Sequence, residues 1–131
     1  MHNMEKLIID RSKWRTGGNG KYATGMGRTF LVNNEGYMCC LGFMCIEMGV
    51  EKNSCYRIGL PEDLEPIEYI KVPILVHPLA KSNTELACGA IEINDDDTLL
   101  PHEREEQLTE HFSNHGIQVE FVNEYVKWQI L

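Results

Sequence analysis

The chain predicts an α+β fold: a small, largely antiparallel sheet with two or three helices packed on one side. Three observations carry that reading. A length of 131 residues gives room for one core, which makes residues 1–131 a single domain. The carboxyl-terminal stretch Ile117-Gln-Val-Glu-Phe-Val122 alternates apolar and polar residues as a half-buried strand does. Ser82-Asn-Thr-Glu85 is a capping-box pattern, followed by Leu86, Ala90 and Ile93 at helical spacing.

Taken in order, Lys6-Leu-Ile-Ile9 is a short apolar segment, and Asp10 is placed to cap a short helix that holds Trp14 against the body. The glycines from Gly17 to Gly27 then exclude regular structure. Arg28-Thr-Phe-Leu-Val32 has strand composition and ends in the turn residues Asn33-Asn-Glu-Gly36. Met38 to Met48 reads as a buried helix stopped by Gly49. Pro61, Pro66, Pro73 and Pro78 break up the middle of the chain, where Ile70 to Val76 is the one candidate edge strand. Pro101 suits the first turn of a further helix whose inner face carries Leu108 and Phe112 and which Gly116 ends. Beyond Asn123-Glu124, Val126, Trp128 and Ile130 alternate again, so an antiparallel hairpin would put them on one face with Ile117, Val119 and Phe121.

Composition excludes several classes of function. No apolar run approaches the ~20 residues that span a bilayer and no signal-peptide pattern opens the chain, so a cytoplasmic protein without a membrane partner is expected. Cys39, Cys40, Cys45, Cys55 and Cys88 are odd in number, and reduced thiols follow. The net charge is −8, yet residues 1–28 hold six Lys/Arg against two acids, a local +4 that leaves −12 to the remainder. So acidic a body argues against nonspecific binding of duplex nucleic acid while allowing a local basic pocket. It is also a surface that would meet a basic protein.

That pocket would lie in the stretch from Arg11 to Arg28, where five glycines in eleven residues allow close backbone approach to a ligand. If it binds, Arg11, Lys13, Arg15, Lys21 and Arg28 would contact phosphate, Trp14 or Tyr22 would stack on a base, and Gly18 and Gly20 would admit the backbone. The stretch lacks a phosphate-loop Gly-x-x-x-x-Gly-Lys-Ser/Thr pattern, and Gly17-Gly18-x-Gly20 is not a dinucleotide fingerprint. It reads equally as a surface loop without a ligand. Self-association would help by closing so open a loop over its ligand.

Three further residue sets suggest other chemistry. Cys39 or Cys40, at the start of the proposed helix, would serve a cysteine-dependent hydrolase with His77 as base; the surrounding Leu41, Phe43 and Ile46 favour plain burial of these thiols. His111 and His115 have a zinc-sharing spacing but lack the adjacent Glu of a zincin helix. Asn94-Asp-Asp-Asp97 departs from a calcium loop by placing Asp97 where glycine is required. Neither a metal nor a cofactor is expected.

The marks Ile-Asp-Arg-Ser-Lys-Trp14, Met-Cys-Cys-Leu-Gly42, Ile93-Asn-Asp95, Glu103-Arg-Glu-Glu and Gly116-Ile-Gln-Val-Glu-Phe121 are spread over most of the chain. Through them it resembles a widespread family of small phage and prophage proteins. The resemblance implies a non-catalytic accessory role in the host cell, such as blocking host defence by trapping a small anionic, nucleotide-like ligand or by occupying a host defence protein.

Overall fold

Residues 6–17, 29–72, 74 and 81–125 are described by the computed structural model. Strand β1, Lys6–Asp10, pairs with strand β2, Gln118–Val122, and the two run parallel, with Lys6 opposite Gln118 and Asp10 opposite Val122. This corrects the antiparallel expectation. A parallel pair needs a long crossover, and here nearly the whole described chain, every helix included, serves as that connection. Alternation along 117–122 identifies a half-buried strand but not its partner, because the buried Leu7, Ile9 and Val119 would face inward under either sense of pairing. The proposed second strand of the hairpin, Val126 to Ile130, lies outside the described residues.

Among the described residues five helices lie between the strands: α1, Cys40–Glu47; α2, Lys52–Cys55; α3, Pro66–Tyr69; α4, Lys81–Asn94; and α5, Pro101–Ser113. A 3-10 turn at Pro61–Asp63 precedes α3. Helix α1 packs on β1, α5 on β2, and α4 against both helices. The opposite side of the strand pair carries the exposed Ile8, Gln118 and Glu120.

Helix α1 is buried nearly all round, from Cys40 through Cys45. Its seating depends on Gly42, since a Cβ there would stand 1.9 Å from the Leu31 carbonyl oxygen, closer than any side chain tolerates. Gly49 ends the helix at φ +98°, a conformation that favours glycine. Helix α5 opens on Pro101 with the Glu103 carboxylate accepting the Leu100 N–H at 2.8 Å, and buries Arg104, Leu108 and Phe112 along one stripe. Trp14, Phe112, Leu7, Ile9, Leu41, Leu86, Leu108 and Ile117 are fully enclosed within a single hydrophobic cluster.

Three local expectations change. Asp10 does not start a helix: its carboxylate accepts the N–H (2.9 Å) and hydroxyl (2.6 Å) of Ser12, turning the chain so that Trp14 enters a lone bridge with Met38. Thr29 to Val32 forms no strand. Val32 makes only an isolated bridge to Tyr56, and the close approach of Gly42 occupies the Leu31 carbonyl side. Ile70 to Val72 belong to the turn that follows α3 rather than to an edge strand, because Lys71 and Val72 donate backbone bonds to Glu68 and Tyr69; Pro73, Leu75 and Val76 lie outside the described residues. Among the described residues no helix is long and apolar enough to cross a membrane.

Candidate functional site

The best-organised polar site lies where α4 ends. Leu86, Ala87, Ala90 and Asn94 are buried, so an amide continues the apolar stripe at i, i+4, i+8 from Leu86. The Asn94 Oδ1 accepts the Trp14 indole N–H at 2.7 Å and the Cys40 N–H at 3.0 Å. Its Nδ2 donates to the Arg15 carbonyl at 3.0 Å and to Asp95 Oδ1 at 2.9 Å. One fully bonded side chain thereby joins the end of α4, the start of α1 and the segment around Trp14.

Asp95 extends the junction. The same Oδ1 accepts the Gly17 N–H at 3.0 Å and the Thr29 hydroxyl at 2.9 Å. Gly17 and Thr29 flank the glycine-rich stretch, so the chain leaves this carboxylate and returns to it. Backbone bonds from Met38 to the Lys13 carbonyl (2.9 Å) and from Arg15 to the Met38 carbonyl (2.7 Å) fix the outgoing arm.

The expected ligand residues are distributed unequally around this neck. Trp14 is 1% exposed, with its ring against Phe121 and Tyr125 and its N–H on Asn94, so it has no face to offer a base. Arg11 forms a two-pronged ion pair with Glu105 at 2.7 and 2.8 Å, donates to the Asn123 carbonyl at 3.1 Å and lies over the rings of Phe121 and Tyr125. Its charge is answered within the molecule. Lys13 is exposed, and the half-buried Arg15 lies over the Tyr37 ring at 5.9 Å. Gly18, Gly20, Lys21, Tyr22 and Arg28 lie outside the described residues.

Glu105 also accepts the Tyr125 hydroxyl. Burial pushes the Glu105 carboxyl up, but the Arg11 and Tyr125 hydrogen bonds outweigh it and hold the group below the usual carboxylate range. Burial first, and then the Glu105 carboxylate, raise the Tyr125 phenol well above its ordinary value. Arg104, buried beneath the neck, donates to the Asp96 carbonyl at 2.6 Å, while its Nε has no partner among the described residues.

Cys39 and Cys40 are unsuited to nucleophilic work. Both are fully enclosed; burial pushes the Cys39 thiol up to about 12 and the Cys40 thiol well above its ordinary value. At neutral pH both stay protonated. His77, the proposed base, lies outside the described residues. His111 places Nε2 within 2.9 Å of the Leu86 carbonyl, over Gly89, where α4 and α5 meet. Asp96 is engaged by Thr98, through its N–H at 2.9 Å and its hydroxyl at 2.6 Å. Among the described residues no group of His, Cys, Asp and Glu could hold a metal ion.

Sequence reasoning missed Asn94 and Asp95 as the organising pair, weighing them as part of a calcium loop. The available signal was an Asn lying on the apolar stripe of α4, since a buried amide needs several partners. The Arg11–Glu105 pair spans 94 positions of sequence, and no local pattern announces it. Comparison with protein-family models, curated proteins and solved structures returns no match.

Proposed function

We propose that the protein is a non-catalytic binding protein that holds a small anionic, nucleotide-like ligand against the segment between Lys13 and Arg28, in the phage-type accessory role that its sequence resemblance implies. One observation carries the reading: a single Asp95 oxygen gathers both the Gly17 N–H and the Thr29 hydroxyl. The glycine-rich stretch is thereby moored at both ends to the core, next in sequence to the cationic Lys13 and Arg15, and a segment held at both ends closes on a ligand at less entropic cost than a free tail does. The three donors on Asp95 Oδ1 also temper its repulsion of an anion. A protein partner is the second reading, favoured by the exposed Glu106 and Glu110, which line a groove of about 530 Å³ on α5. The hydrolase alternative loses its support with the enclosure of Cys39 and Cys40.

Mass spectrometry of small molecules released from protein purified out of phage-infected cells tests the first reading. A retained phosphate-bearing compound is expected. Each of Lys13→Ala, Arg15→Ala and Lys21→Ala should weaken its retention ~10-fold or more, the usual effect of losing one charge-assisted hydrogen bond. Retention unchanged in the triple variant would discard the proposal.

A further inference from the structure

A separate surface lies at α3, between α1 and α4 in the sequence. In α3 the usual assignment of faces is inverted. Glu68 is the buried residue of the helix, accepting the Glu51 N–H at 2.8 Å and the Lys71 ammonium at 2.6 Å, while Ile67 and Ile70 stand 71% and 66% exposed. Three residues apart, with Ile70 continuing the helical backbone, the two isoleucines share one outward face. Tyr69 adds a partly exposed ring. Exposed isoleucines are ordinary singly, but here a carboxylate takes the inward position beside them, and its partners hold the pair outward.

The surroundings select the chemistry of what would cover this face. Glu62, Asp63 and Glu65 are exposed on the adjoining residues, and the local cation, Lys71, is turned to Glu68 and the Gly49 carbonyl. An apolar pair bordered by unneutralised carboxylates suits an apolar segment flanked by Lys or Arg. A second copy of this chain would instead bring three carboxylates against three more. We infer that the Ile67–Ile70 face docks a basic, amphipathic segment of another protein.

Titration of the isotope-labelled full chain with a synthetic basic amphipathic helix of leucine and lysine, followed by amide chemical shifts, tests this. Shifts should centre on Ile67, Tyr69 and Ile70 and extend to Glu62, Asp63 and Glu65. The I67S/I70S variant should raise the Kd about tenfold or more, the scale of losing an interface's apolar anchors. The E62K/E65K variant should weaken binding at low salt and flatten its salt dependence. Shifts centred on the acidic α5 surface, an unchanged Kd for I67S/I70S, or a homodimer in sedimentation that I67S/I70S dissolves would each overturn the inference. Because both substituted pairs are exposed, retained thermal unfolding confirms that the variants report on docking.

Discussion

Asn94 and Glu68 are both buried polar side chains with their hydrogen bonds made, yet they organise their surroundings in opposite ways. Asn94 draws together residues 54 to 80 positions away in the chain, Cys40, Arg15 and Trp14. Glu68 bonds to Lys71 and to the Glu51 N–H, partners no more than 17 positions away, and what it secures is a local turn with its isoleucines facing solvent. The contrast separates two uses of burial. One polar group makes the arrangement of distant segments unique; the other maintains a surface at the expense of core.

The largest test of that contrast is Asn94→Leu. It keeps the heavy-atom count and γ-branching but leaves the buried Trp14 indole N–H and Cys40 N–H and the part-buried Arg15 carbonyl without this partner, and a loss of about 3–5 kcal/mol in denaturant-measured stability is expected. A loss under 1 kcal/mol would remove Asn94 from its organising role. Gly42→Ala probes the helix that Asn94 caps: a Cβ against the Leu31 carbonyl should cost about 1–3 kcal/mol, because backbone rather than a pliable side chain must yield.

Arg11→Met retains the stem over Phe121 and Tyr125 but loses the pair with Glu105, a change of about 1–2 kcal/mol once partial solvent contact is allowed for. Its signature is pH dependence. The folded carboxyl lies below its unfolded value of 4.5, so its contribution is present above that pH and is lost as pH falls through the folded value. The variant should flatten this acid limb, and an unaltered limb would assign the slope elsewhere. At the alkaline end the sign reverses for Tyr125, whose raised phenol stabilises below pH 10 and loses that contribution as pH rises further. The smallest stability effect belongs to I67S/I70S, within about 0.5 kcal/mol by equilibrium unfolding, as for other surface replacements; a larger loss would show the pair to be part of the core.

Local signals were legible where the physics was local. Gly49 and Gly116 end α1 and the α5 turn as their positive φ values require, Pro101 opens α5, and Leu86, Ala90, Leu108 and Phe112 face inward at the spacing that marked them. Trp14 is held against the body as expected, although a turn and a bridge hold it rather than a helix. What escaped the sequence was pairing at a distance. Leu7 and Ile9 alternate no differently for a parallel neighbour, Arg11 gives no sign that Glu105 will claim it, and the carboxylate of Asp95 is equally at home in a helix cap. Among the proposed ligand residues, charge and spacing could not separate the exposed Lys13 from the enclosed Trp14 beside it.

With Gly17 and Thr29 tethered to one oxygen, the two ends of the chain between them are held at a fixed separation. Closure entropy rises only logarithmically, so doubling that interval costs about 0.6 kcal/mol. A longer interval would therefore leave from and return to the same two anchors at little cost in closure entropy.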